Sequence, residues 1–306
     1  MQRFHATALI TFIIVGTLSV SAQEDLRPPA SREAFHLFVL AGQSNMAGRG
    51  TVEPQDQEPH PRVLMLNKAG EWVPAVDPLH FDKPSIVGVG PGHSFARAWA
   101  DSHPGVVVGL IPCAVGGSPI EAWRPGGFHA STKTHPWDDC MARVLPVLPA
   151  GTLRGILWHQ GESDAKSELA AVYADRLDEV VDRFRTTLNA PCVPFIAGQM
   201  GQFEERPWDE HKKTVDMAHE RLPHRKSNTA FVSSDGLAHK GDEVHFDSAS
   251  YRELGTRYFA ALRQLTCSGQ VRASVTARRP LKRVRKVFQN LRRVLPQQGL
   301  LRRPAR

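Results

Sequence analysis

Six short apolar runs punctuate the chain: Leu37 to Ala41, Val63 to Leu66, Val106 to Ile111, Gly155 to Trp158, Val193 to Ala197 and Ala230 to Ser233. None is long enough for a buried helix, and they are continuous rather than alternating, so each is predicted to be a strand covered on both faces. Between several of them the apolar step changes from two to three or four. Leu169, Tyr173, Leu177, Val180, Phe184 and Leu188 form one stripe on an otherwise charged segment, which predicts an amphipathic helix. Further helices are expected over His93 to Ser102, Asp138 to Leu148, Glu210 to Arg221 and Ser248 to Leu265. Strands alternating with helices imply an α/β domain with a mostly parallel sheet.

The two ends depart from this pattern. Arg3 precedes an apolar run from Ala6 to about Val20, and Val20-Ser21-Ala22 offers small residues before the polar Gln23-Glu24-Asp25. That order predicts a signal peptide over residues 1–22 and export to the periplasm, the medium or the cell surface, ahead of an uncleaved anchor. Residues 23–34 then read as a linker and residues 35–267 as the catalytic-sized domain. Residues 268–306 form a basic tail in which Leu281, Val284, Phe288, Leu291 and Leu295 fall at helical spacing. The tail is expected to be amphipathic or disordered, and to contact an anionic membrane surface or polysaccharide.

Charge sharpens that division. The 306 residues carry a net +7, with 38 Lys and Arg against 31 Asp and Glu. Twelve of the basic residues and none of the acidic ones lie after Cys267, so the preceding 267 residues carry a net −5. A nucleic-acid partner is therefore not expected. The hydrophobic share of 41% is that of a globular chain able to bury a sizeable core. Cys113, Cys140, Cys192 and Cys267 lack the close pairing of a zinc site. In an exported protein they could form up to two disulfides, and buried free thiols are the equal alternative.

In a parallel sheet the chemistry gathers at the carboxyl ends of the strands. Four segments stand there: Gly42 to Met46, Val115 to Ser118, His159 to Glu162 and Gly241 to Asp247. Ser44 follows a strand at once, which suits either a nucleophile or a helix cap, and it lacks the Gly-x-Ser-x-Gly elbow of ordinary α/β-hydrolases. Asp242 lies three residues before His245, close enough to accept its Nδ1–H and leave Nε2 for a serine, with Asp235 and Asp247 as alternative acids. The N–H of Ser44, that of Gly116 or Gly117, and the Gln160 amide are candidate oxyanion donors.

Gly42-Gln43-Ser44-Asn45-Met46, Gly116-Gly117-Ser118-Pro119-Ile120 with Trp123, Trp158-His159-Gln160-Gly161-Glu162-Ser163 and Asp242-Glu243-Val244-His245-Phe246 resemble the blocks of the sialate O-acetylesterase domain. That family belongs to the SGNH hydrolase superfamily and is similar to the family six carbohydrate esterases. The resemblance spans roughly residues 35–265. It implies a flavodoxin-like three-layer α/β/α sandwich of about five mostly parallel strands, with no metal or organic cofactor. It also implies Ser44 as nucleophile, His245 as base and acid, Asp242 as its orienter, and Ser44, Gly117 and Gln160 as the oxyanion hole. Where the wider superfamily has a Gly-x-Asn-Asp type motif, this chain has His159-Gln160-Gly161-Glu162, with Gln in place of Asn.

Gln43, Asn45, Trp123, Arg124 and Glu162 are the candidate substrate contacts, Arg124 for a carboxylate, although Trp123 also suits a core position. Phe128, His135 and Trp137 crowd the same segment. The expected activity is removal of O-acetyl groups from carbohydrates such as sialic acid or xylan. A catalytically idle glycan-binding protein on the same fold is the alternative.

Overall fold

The computed structural model describes residues 26–277, with side chains described as far as residue 265. The expected signal peptide and the tail segment 281–295 lie outside the described residues. The strands are β1 (Phe35–Gly42), β2 (Val63–Leu66), β3 (Trp72–Pro74), β4 (Val107–Pro112), β5 (Thr152–His159), β6 (Phe195–Gly198) and β7 (Thr229–Val232). The α-helices are α1 (Ser44–Ala47), α2 (Pro91–Ser102), α3 (Pro136–Val147), α4 (Ser167–Thr187), α5 (Glu210–Glu220), α6 (Leu222–Arg225) and α7 (Ser248–Ala277).

The strands form one sheet in the order β3-β2-β4-β1-β5-β6-β7. Five parallel strands, β4-β1-β5-β6-β7, make the expected core, and the sheet is larger than expected because the β2–β3 hairpin extends its β4 edge. In that hairpin β2 runs parallel to β4 and β3 antiparallel to β2.

Both faces of β1 are covered, which is why its sequence reads as an unbroken apolar run. Phe35, Leu37, Val39 and Ala41 join one core with Tyr173, Leu177 and Phe184 of α4 and Val215 of α5. Phe38 and Leu40 join a second core with Phe95 and Trp99 of α2 and Tyr251, Tyr258 and Leu262 of α7. Helix, sheet and helix thus form three layers. The α4 stripe begins at Ala170 rather than Leu169, which is exposed.

Strand order sets where a ligand binds. From β1 the chain crosses to β2 on one side, returns through β3 to β4, and then passes to β5 on the other side, so the carboxyl ends of β1 and β5 flank a topological switch point.

Candidate active site

At the end of β1 the backbone must turn sharply. Gly42 has φ +124°, and a Cβ there would overlap the His159 carbonyl, so only glycine lets the ends of β1 and β5 approach. Gln43 N–H donates to that carbonyl at 2.8 Å, and α1 starts on the next residue, Ser44. The Ser44 side chain therefore leaves the sheet at the switch point.

Ser44 Oγ lies 2.9 Å from His245 Nε2, and His245 Nδ1 lies 2.8 Å from Asp242 Oδ2. The loop that carries this pair is set by local chemistry. Asp242 Oδ1 accepts the backbone N–H of Val244 at 3.1 Å and of His245 at 2.8 Å, and Glu243 takes a positive φ of 56°. Partial burial opposes ionisation of Asp242, but these N–H bonds and the imidazole outweigh it and hold its pKa at about 2. The alternative acids serve elsewhere. Asp247 Oδ1 caps α7 through Ser250 N–H at 2.7 Å, and Asp235 Oδ1 accepts from Gln202 at 3.1 Å.

Three further side chains tie α1 to its neighbours. Asn45 Nδ2 donates to Glu162 Oε1 at 2.6 Å and to the Val244 carbonyl at 3.1 Å, and Asn45 Oδ1 accepts from Tyr251 OH at 2.6 Å. Asn45 is fully buried, so this candidate substrate contact instead clamps the histidine loop against α1 and α7. Burial raises the pKa of Glu162, and its Oε2 is buried without a hydrogen-bond partner among the described residues.

The oxyanion candidates separate. Gly116 N–H donates to Asp82 Oδ2 at 2.7 Å, while the N–H groups of Ser44 and Gly117 have no acceptor among the described residues. Gly117 sits at φ +82°, the left-handed region that favours glycine. The Gln160 amide departs from expectation. Its Nε2 donates among Asp164 Oδ2 at 2.5 Å, Gln43 Oε1 at 3.1 Å and the Ser118 carbonyl at 3.2 Å, while its Oε1 accepts from Tyr173 OH at 2.7 Å. Two amide hydrogens facing three protein acceptors leave none for substrate, so Gln160 is a buried strut between the β5 loop and the glycine loop.

The expected substrate contacts are likewise redistributed. Trp123 is fully buried, donates to Ser118 Oγ at 3.0 Å and packs edge-on against Trp158. It belongs to the core, as does Trp137. Arg124 is exposed, with its guanidinium 2.6 Å from Glu121. Gln43 is nearly buried, and its Oε1 receives Gln160 Nε2 and, more distantly, the N–H groups of Gly161 and Ser163. Phe128 remains exposed beside His135.

Sequence reasoning missed Arg49, Asp82, Lys83 and His129. Arg49 Nη2 lies 2.8 Å from Asp82 Oδ2, with both side chains buried, and a Cβ on Gly116 would collide with this pair. Burial opposes the Asp82 charge, but Arg49 prevails and lowers its pKa. Lys83 Nζ and His129 Nε2 stand 3.9 and 3.8 Å from where a Cβ on Gly117 would lie. Asp82 and Lys83 fall in an irregular loop, where no periodicity marks them.

A family model described as "Carbohydrate esterase, sialic acid-specific acetylesterase" matches residues 34–264. A probable carbohydrate esterase of Arabidopsis thaliana is 30% identical over 240 residues, 72% of this chain and 86% of that protein. A solved Arabidopsis thaliana structure superposes with a TM-score of 0.66 at 29% identity, covering 75% of this chain and 98% of the other. A probable 9-O-acetyl-N-acetylneuraminic acid deacetylase of Escherichia coli is 24% identical over 224 residues, 58% of this chain and 67% of that protein.

Proposed function

The chain belongs to the sialic acid-specific acetylesterase family of carbohydrate esterases, and on that premise we propose that it removes O-acetyl groups from carbohydrates through an acetyl-serine intermediate. The observation that carries this reading is the relay from Ser44 Oγ to His245 Nε2 to Asp242, at 2.9 and 2.8 Å, beside two backbone N–H groups with no acceptor among the described residues.

In this mechanism His245 Nε2 takes the Ser44 proton as Oγ attacks the acetyl carbonyl. Negative charge then develops on the carbonyl oxygen, where the N–H groups of Ser44 and Gly117 meet it, a well-placed donor being worth about 3 kcal/mol. Asp242, ionised throughout, holds the imidazole and stabilises its positive charge. The intermediate collapses, the sugar alcohol leaves with the proton from His245, and water activated by the same imidazole releases acetate. Ser44 thus supplies both the nucleophile and, through its backbone, one oxyanion donor.

The reading extends to an acidic saccharide. Arg124 is occupied by Glu121, whereas Lys83 has no acidic partner among the described residues and stands with His129 over Gly117. A carboxylated sugar placed at that loop gains a cation without breaking a protein ion pair. The deacetylase name of the Escherichia coli relative supports the same class. The N-terminal pattern supports export, where glycans are met.

Acetate release from acetylated sialosides, acetylated xylan and a small aryl acetate tests both levels. Wild type is expected to release acetate, and Ser44→Ala to lose turnover while keeping its fold. Lys83→Met is expected to raise KM several-fold for the sialoside and to leave the aryl acetate unchanged. An active Ser44→Ala variant overturns the mechanism. No wild-type release from any ester moves the reading to a glycan-binding protein.

A further inference from the structure

Two buried thiols line one cavity beside the start of the loop that carries Gly116 and Gly117. Cys113 immediately follows β4, its N–H donating to the Leu40 carbonyl at 2.9 Å, and Cys140 lies on the buried face of α3. Both line one cavity of about 540 Å³ together with His80, Asp82, Val115 and Arg143. Both side chains belong to one buried core cluster, and burial first, then the neighbouring Cys113 thiol, pushes the Cys140 pKa up. Cys113 keeps 7% of its surface exposed and Cys140 only 1%, so a reagent entering the cavity reaches Cys113 first. Cys192 is on the surface, away from this pair.

We propose that Cys113 and Cys140 are a redox pair that closes to a disulfide in an oxidising compartment and staples the substrate-side loop between β4 and α3. The 26 intervening residues, 114–139, include Gly116, Gly117 and His129, so the bond fixes both roots of the segment beside Ser44. The oxidant is a small disulfide such as oxidised glutathione. Cys113, as thiolate, attacks one of its sulfurs and expels one glutathione thiol, forming a mixed disulfide. Cys140 then loses its proton to solvent and attacks Cys113 Sγ, expelling the second glutathione. The two protein thiols give up two electrons and two protons, and the oxidant becomes two thiols.

The pair is separable from the other cysteines. A Cys192→Ser/Cys267→Ser variant retains two thiols, and the reduced variant serves as its own folded control. With oxidised glutathione, followed by unfolding and alkylation, both thiols are expected to become unreactive and the mass to fall by about 2 Da. Peptide mapping without reductant should join the Cys113 and Cys140 peptides. Adding Cys140→Ser should trap one glutathione on Cys113, a gain of about 305 Da, whereas adding Cys113→Ser should leave Cys140 unmodified. Oxidation should raise the two-thiol variant's Tm by roughly 5–10 °C, reversed by dithiothreitol. Two alkylatable thiols after oxidation, a stable mixed disulfide in the two-thiol variant, or a lowered Tm each overturn the proposal. None of these readouts depends on esterase activity.

Discussion

At the residue scale, the proposed chemistry rests on a hydrogen-bonded relay of three side chains, Ser44, His245 and Asp242. Ser44 after a strand, and Asp242 three residues before His245, carry their chemistry in local spacing, and the fold brings them together at 2.9 and 2.8 Å. The sequence offers the Gln160 amide as an oxyanion donor and leaves Trp123 between substrate and core, because it shows what a side chain is able to donate, not which partners compete for it. Tyr173, Asp164 and Ser118 claim those atoms from 4 to 42 residues away. For the triad the expected test is Asp242→Asn, which keeps size but removes the charge that orients imidazole. It should lower kcat by roughly 10²- to 10⁴-fold with little change in KM. Because Asp242 is held at about 2, below the ordinary carboxylate value of 3.8, its stabilising bonds are intact above the ordinary value and are lost only as pH falls through about 2. The acid limb of log kcat/KM should therefore have a slope of about 1, from one group rather than two. A slope near 2 in the mildly acid range contradicts the assignment.

At the element scale, the long and periodic features were correct and the short or irregular ones were missed. All six apolar runs mark strands, because strands buried on both faces leave a continuous apolar signature. β3 has only Trp72, Val73 and Pro74, too few for a pattern, and gains its place by pairing with β2. Helix α7 runs to Ala277, twelve residues past its expected end and across the boundary drawn between domain and tail. The loop carrying Asp82 has no period, yet it anchors the glycine loop through the buried Arg49–Asp82 pair and the Gly116 N–H. Removing one partner of such a pair leaves a buried charge uncompensated. Asp82→Ala is thus expected to cost about 3–5 kcal/mol in denaturant unfolding. Asp82→Asn, which still accepts from Gly116 N–H, should cost less and restore part of the lost kcat. If both variants unfold like wild type, the clamp is not holding the loop.

At the scale of the whole molecule, charge separates two regions that the overall +7 conceals. The 267 residues through Cys267 carry a net −5, so the body that holds the site is repelled by an anionic surface. Residues 278–306 carry eleven Lys and Arg and no acid, and each basic residue brought to an anionic lipid surface contributes about 1 kcal/mol at low salt. We propose that any attraction of this chain to such a surface comes from those residues. The deletion that tests this begins at 278 rather than 268, because α7 continues to Ala277 and a cut at 268 would remove helix as well as charge. The full chain is expected to sediment with vesicles containing phosphatidylserine in dilute buffer, and to be released as ionic strength rises and the Debye length falls from about 30 Å to about 8 Å. The chain lacking 278–306 should remain in the supernatant at every salt concentration and hydrolyse a small aryl acetate at the wild-type rate. Equal retention of the two chains would assign the attachment to the body, against its net charge, and would remove the tail from any role in placing the enzyme at a surface.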